Sequence, residues 1–326
     1  MITKPVCRSL NSMKVLITED LHPYLSTRLT QWGCQCVIEP AITNQEVADC
    51  LHEYEGLVVA TKIKVTAELL DRAPELKWVA RAGSGMENID LKAAAERNVA
   101  CVNSPEGNCD AVAEQVLGML LAMFNNTVRS DAEMRRGIWL REANRGIELG
   151  GKTVGIVGFG HTGSSVARKL QGFNVRILAY DKYLSESPVE YAELASMDRI
   201  AEEADVLSLH LPLTPETAHF FNSELIQRFR KPFWLVNTSR GGVLKTEDLL
   251  AGLADEKVLG AALDVFENEK PHTYNKEEQA WWAALRRHDR VLLSPHVAGW
   301  TVESKHRIAE VLCSRIQPHL SAESGS

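Results

Sequence analysis

No Cys-x-x-Cys pair occurs in the sequence. Its cysteines are odd in number, seven in all: Cys7, Cys34, Cys36, Cys50, Cys101, Cys109 and Cys313. Such spacing offers neither a zinc site nor a disulfide framework, and no metal is expected. The implied compartment is the reducing cytoplasm, with Cys34 and Cys36 as small apolar residues on one face of a short strand. Long apolar runs are missing too. AVAEQVLGMLLAMF (111–124) is too short to span a bilayer and carries Glu114, so it reads as a buried helix and no membrane partner is expected. The opening residues, MITKPVCRSLNS, lack the apolar segment of a secretory leader. The first strand pattern begins at Met13, and the residues ahead of it are expected to be a disordered tail. Basic charge is in deficit: 36 Lys and Arg against 43 Asp and Glu leave −7, which argues against nucleic acid as a partner.

What is present is an ordinary globular composition, 45% apolar and 24% charged over 326 residues, enough for about two domains. Short apolar runs alternate with helical patterns. Strands are expected at 14–18, 36–39, 56–60, 77–82 and 100–103, with helices such as 43–54 and 88–98 between them. A long helix is expected over roughly 109–136, then an Arg-rich polar segment to 152. A second series follows at 153–158, 175–181, 205–211, 233–239, 259–265 and 290–295, about six strands, and a last helix at 301–317. This is the pattern of an α/β protein with two doubly wound parallel sheets. The cleft between two such units, at the carboxyl ends of the strands, is a natural ligand site.

The strongest local motif is VGIVGFGHTG, where Gly158, Gly160 and Gly163 spell G-x-G-x-x-G between a strand and a helix. The first glycine permits the tight turn, the second a close approach to a pyrophosphate, and the third close helix–strand packing. The helix start offers N–H groups to the phosphates. Asp181, at the end of the next strand, can accept from both ribose hydroxyls of NAD and would repel the extra phosphate of NADP. The competing reading is a packed turn with Asp181 as a cap.

Three polar residues stand just past later strands: Arg240, Glu269 and His296. Their chemistry is complementary. Arg240 can grip a carboxylate, His296 can exchange a proton near neutral pH, and Glu269 can orient the imidazole and favour its charged form. Against this stands the ordinary role of each as a surface or structural group.

These segments, together with RAGSGMENID (81–90), VAEQVLGMLLA (112–122), ADVLSLHLPLTPET (204–217), VNTSRGGVLKTEDLL (236–250), GAALDVFENEKP (260–271) and SPHVAGWT (294–301), resemble the D-isomer-specific 2-hydroxyacid dehydrogenases. The resemblance implies reversible hydride transfer between a small-molecule 2-hydroxy acid and its 2-keto acid, with NAD as cofactor. It implies a substrate-binding arginine at Arg240, a catalytic histidine at His296 and its paired acid at Glu269. Asp264 would lie near the nicotinamide carboxamide, unless it only caps its strand. Thr238, with His210, Leu211 and Pro212, would line the cofactor, His210 as a wall. His161, Thr162, Ser239 and Gly299 fall in the same cofactor-binding segments, as does His296. Ser84 and Gly85 would hold the substrate carboxylate through backbone N–H groups, unless they form only a tight turn. The implied fold is a Rossmann-type NAD domain (108–296) inserted into a flavodoxin-like substrate domain (1–107 and 297–326). A homodimer would form through the helix and arm at 109–150, unless the apolar helix is simply buried on its own sheet.

The nearest subgroup resembles D-3-phosphoglycerate dehydrogenases without a regulatory domain. The sequence ends about one helix after His296, so no appended effector domain, and no serine feedback through one, is expected. Where many of that subgroup carry Arg-Ser, this sequence has Ala60-Thr61. Lys62 and Lys64 follow, and Arg141 matches a position from which a base can reach the partner's site. All three have solvated-surface readings as well. Glyoxylate or hydroxypyruvate reduction is therefore the alternative. A second is an NAD-bound scaffold like the C-terminal binding protein corepressors. Adenosylhomocysteine hydrolases are disfavoured by length.

Overall fold

The computed structural model describes residues 12–320, so the tail expected ahead of Met13 lies, Ser12 apart, outside the described residues. The chain divides into one unit that runs to Asn108 and resumes at Val302, and another formed by Cys109–Thr301.

In the first unit β1 (Lys14–Ile17), α1 (Pro23–Gln31), β2 (Gln35–Ile38), α2 (Asn44–Cys50), β3 (Gly56–Val59), α3 (Ala67–Asp71), β4 (Trp78–Arg81), α4 (Leu91–Glu96) and β5 (Ala100–Val102) follow one another. The strands form a parallel sheet in the order β2-β1-β3-β4-β5. Strands covered on both faces need no polar alternation, and Gly56–Val59 is buried throughout. One face packs on a core around Leu16, Leu57 and Val79. The other packs on Val15, Val58 and Trp78, to which Leu312 and Ile316 of the last helix return. Cys34 and Cys36 both join this second core. Burial pushes the Cys34 thiol up to about 11, so it fills space and is no nucleophile.

The chain continues through α5 (Pro105–Phe124), α6 (Thr127–Arg135), β6 (Thr153–Val157), α7 (His161–Leu170), β7 (Arg176–Tyr180), β8 (Glu193–Leu194), α8 (Met197–Glu203), β9 (Val206–Leu209), α9 (Ser223–Arg228), β10 (Phe233–Asn237), α10 (Thr246–Ala254), β11 (Val258–Leu263), α11 (Lys276–Arg287), β12 (Val291–Leu293) and α12 (Val302–Ile316). The second sheet is parallel, in the order β12-β11-β10-β9-β6-β7-β8. Its order reverses between β6 and β9, the switch point of a doubly wound sheet. Both sheets carry helices on two faces, so the protein is α/β throughout.

Three details differ from the sequence pattern. The sheet has a seventh strand, β8, which pairs only Glu193 and Leu194 with β7; two residues carry no readable period. The helix expected over 109–136 is two helices, broken where Asn126 adopts a left-handed φ of 51°. It also starts earlier, at Pro105, whose fixed φ and missing N–H suit a first turn. Within it Val116, Met119, Leu120, Met123 and Phe124 are buried in the unit's own core, so self-burial accounts for much of the apolar run.

The fully buried Phe233 ring stacks on Phe229 with centroids 3.7 Å apart. Phe233→Ala should cost about 3–5 kcal/mol, read as a lower urea midpoint at unchanged slope. A loss inside the surface range of about 0.5 kcal/mol would contradict this packing.

Candidate active site

Six neighbouring strands of the second sheet end level with one another. Register pairs Leu293 with Leu263, Leu263 with Asn237, Asn237 with Leu209, Leu209 with Val157, and Val157 with Tyr180. The candidate residues of this unit, Arg141 apart, follow these six ends.

Gly158, after β6, has a left-handed φ of 89° and donates its N–H to the Tyr180 carbonyl at 2.8 Å. A Cβ there would come within 2.5 Å of the His210 carbonyl oxygen. A Cβ on Gly163 would run into the Gly158 carbonyl. Only glycine closes this turn and seats α7 on the strand. Gly160 caps α7 with open space where a side chain would stand, and no side chain caps the helix; His161 and Thr162 open its first turn. Asp181, after β7, accepts the Phe159 N–H on Oδ2 and the Tyr183 N–H on Oδ1, each at 2.9 Å. It therefore does act as a cap, with lone pairs to spare on both oxygens.

His210, after β9, shares a hydrogen bond between Nε2 and Ser208 Oγ at 2.8 Å. Its Nδ1 is buried and without a partner, although part of the residue reaches solvent. Burial holds its pKa down to about 4, so the ring is neutral near pH 7 and serves as a wall. Thr238, after β10, is buried with Oγ1 equally unpartnered. The Ser239 N–H and Oγ both donate to Asn237 Oδ1. Leu211 packs on the unit's core, and the Pro212 carbonyl accepts from Thr217 Oγ1. Two orphaned buried polar atoms, an open glycine at an uncapped helix start and a carboxylate on the next strand end form a donor set suited to NAD. The helix start would take the phosphates and Asp181 the ribose hydroxyls.

Arg240, Glu269 and His296 follow β10, β11 and β12, three neighbours in the sheet. Glu269 Oε2 lies 2.7 Å from His296 Nδ1, and Oε1 accepts the Phe266 N–H at 3.3 Å. Arg240 Nη1 donates to the Ser239 carbonyl at 2.7 Å. Burial pushes the Glu269 carboxyl up. The hydrogen bond and charge of His296, the Phe266 N–H and the Arg240 guanidinium outweigh that and hold it below the usual carboxylate range. With Nδ1 engaged, Nε2 is the nitrogen left to meet a substrate.

His296 itself has a left-handed φ of 54°. Asp264, fully buried at the end of β11, holds it there. Its carbonyl accepts the His296 N–H at 2.8 Å. Its carboxylate accepts the Val297 N–H at 3.0 Å, the Ala298 N–H at 2.8 Å and the Ser294 hydroxyl. Asp264 thus positions the histidine through the backbone that runs on to Gly299.

In the first unit Ser84 and Gly85 follow β4. The Gly83 N–H donates to Ser104 Oγ at 2.9 Å, Ser84 Oγ to Asn108 Oδ1 at 2.8 Å, and Asn103 Nδ2 to the Ser84 carbonyl at 2.6 Å. Lys62 follows the neighbouring β3 and donates its Nζ to the Pro40 carbonyl at 2.6 Å. Arg141 lies exposed on the irregular arm after α6.

Ser208, Phe266 and Ser294 were not singled out in the sequence, nor was α11. For α11 a signal existed: Asn275 and Glu278 form a capping box ahead of an apolar pair, Trp281 and Trp282. The others act through hydrogen bonds that no spacing announces.

Residues 117–298 match the family model "D-isomer specific 2-hydroxyacid dehydrogenase, NAD binding domain". The chain is 33% identical over 314 residues to a D-3-phosphoglycerate dehydrogenase of Methanocaldococcus jannaschii, covering 95% of this chain but 58% of that protein. It thus spans little more than half of that relative's length. It is 36% identical over 277 residues to a hydroxypyruvate reductase of Thermotoga maritima, covering 84% and 88%. Its fold superposes with a TM-score of 0.79, at 26% identity and 93% and 94% coverage, on a D-lactate dehydrogenase of Aquifex aeolicus crystallised with NAD and lactic acid.

Asp264→Ala should strand two backbone N–H groups and a hydroxyl, at about 1–3 kcal/mol for each buried donor left unpaired. Thermal unfolding measures this. A melting point within about 1 °C of the parent, well below the shift that 1 kcal/mol produces, would show that the loop does not depend on Asp264.

Proposed function

The chain belongs to the D-isomer-specific 2-hydroxyacid dehydrogenases, and on that footing we propose that it interconverts a D-2-hydroxy acid and its 2-keto acid, with 3-phosphoglycerate and 3-phosphohydroxypyruvate as the first candidate pair. The observation that carries this reading is the 2.7 Å contact between Glu269 and His296, with Arg240 on the adjoining strand end. NAD, when bound, supplies or accepts the hydride. Arg240 grips the substrate's carboxylate or carbonyl oxygen through its planar fork. In reduction His296 gives the Nε2 proton to the forming alkoxide; in oxidation the neutral ring takes it back. Glu269, held ionised, fixes the ring's orientation and offsets the imidazolium charge. Asp181 disfavours a 2′-phosphate and so favours NAD over NADP.

A second reading, reduction of hydroxypyruvate or glyoxylate, is favoured by the segment after β3. Ala60 and Thr61 offer no guanidinium there, and the Lys62 ammonium is turned to the Pro40 carbonyl. Under either reading the molecule is a cytoplasmic homodimer formed through 109–150. Support comes from the exposed Ile138, Trp139 and Leu140 of the arm and from the free thiols of Cys34, Cys36, Cys50, Cys101 and Cys313. No helix among the described residues is long and apolar enough to cross a membrane.

Rates with NADH and NADPH on 3-phosphohydroxypyruvate, hydroxypyruvate and glyoxylate decide among these. The first should be reduced fastest, with NADH. Tight NADH binding with no turnover on any of the three would favour a scaffold. His296→Ala should lower turnover by roughly 10²–10⁴ with NADH affinity little changed; full turnover in that variant would remove the histidine from the chemistry. Because the Glu269 carboxyl lies below its ordinary range, it takes up a proton only at lower pH than a free glutamate does. The parent's rate should therefore hold through the weakly acidic range and fall below it as Glu269 is neutralised. Glu269→Gln should be slow throughout and lack that acid limb in its pH profile.

A further inference from the structure

We propose that a pocket walled by α11 is a second ligand site, which takes a planar aromatic carboxylate and through which a guest is felt by the His296–Glu269 pair. The pocket encloses about 400 Å³, within the range of small-molecule sites. Phe266, Tyr274 and Trp282 line it together with Arg286, Glu269 and His296. Phe266 and Tyr274 both meet the Trp282 ring edge-on, at centroid distances of 5.0 and 6.2 Å and angles of 84° and 68°. Two rings set edge-on to a third offer both faces and edges to a flat apolar guest.

Arg286 supplies the charge. It stands exposed on the last turn of α11, its guanidinium 5.8 Å from the Trp282 ring centroid, and it makes no ion pair among the described residues. A cation suits a helix carboxyl end on its own account. That explains the residue type but not its place in the wall of an aromatic pocket. A guanidinium fork beside an indole can receive a carboxylate from a guest that the same indole stacks. Glu269 does not compete with the guest for Arg286, since one oxygen is engaged by His296 Nδ1 and the other by the Phe266 N–H.

The pocket is lined by Glu269, whose Oε2 meets His296 at Nδ1 and leaves Nε2 to the substrate. A guest that bears on Phe266 bears on the N–H that holds Glu269 Oε1, and through Glu269 on the ring it orients. Occupation should therefore alter turnover without excluding the substrate.

The test uses the full chain, with 2-naphthoate as probe and 2-naphthamide as its uncharged counterpart. Ligand-observed NMR should show 2-naphthoate saturating near or below millimolar concentration, with the amide bound about tenfold more weakly, a gap of roughly 1.4 kcal/mol. Arg286→Ala, a change at an exposed side chain, should erase that gap. Trp282→Ala should weaken both ligands. Against the 2-keto acid, 2-naphthoate should lower the maximal rate and leave KM little changed. No saturation by about 10 mM, equal binding of acid and amide to the parent, an undiminished gap in Arg286→Ala, or strict competition with the 2-keto acid would each overturn the proposal. The binding arms do not depend on the proposed activity, so they stand or fall separately from it.

Discussion

The constraint on which the site depends is that every strand of the second sheet runs the same way and six of them stop level. Parallel strands place all their carboxyl ends on one edge, and register turns that edge into a line from Leu293 through Asn237 to Tyr180. Residues more than a hundred positions apart in sequence thereby start from a common height. Gly158 and Asp181 occupy one side of the switch between β6 and β9, and Arg240, Glu269 and His296 the other. A one-residue slip of β12 would move the histidine off its partner acid and expose an apolar face, so the same packing that hides Leu263 and Val236 also protects the chemistry.

Holding a histidine in left-handed backbone is unfavourable without support. Asp264 provides it from below. A buried carboxylate is costly unless its hydrogen-bonding capacity is met, and here two backbone N–H groups and a hydroxyl meet it. The result is a layered arrangement in which Asp264 fixes the backbone, the backbone presents His296, and Glu269 fixes the ring. Each layer restricts one kind of motion, and the free nitrogen Nε2 inherits the sum.

Much of the fold could be read before any coordinates. The strand runs stop where polar or glycine residues begin, so strand ends, and with them the residues that follow, were visible in sequence. The glycine turn and Asp181 carry their own physical logic. Arg240, Glu269 and His296 were suggestive by position, but their roles rested on resemblance. What escaped was tertiary in origin. The break at Asn126 depends on a backbone conformation that asparagine permits without announcing. The two-residue β8 exists only because β7 is beside it. The grip of Asp264 on Val297 and Ala298 joins segments more than thirty residues apart through main-chain atoms that carry no residue signature. The aromatic wall of α11 had a legible cap but no family motif to draw attention to it.

The double duty of Asp181 constrains how this molecule could change. The carboxylate that would read a ribose also fastens the N–H of Phe159, inside the glycine turn, and that of Tyr183 beyond it. Nucleotide preference and turn rigidity are therefore inherited together. A lineage drifting toward a 2′-phosphorylated cofactor could not simply truncate the side chain, because the loop would lose its anchor in the same step. Asparagine or serine, which keep an acceptor, offer a passable route; alanine does not, unless a second substitution has re-anchored the loop beforehand.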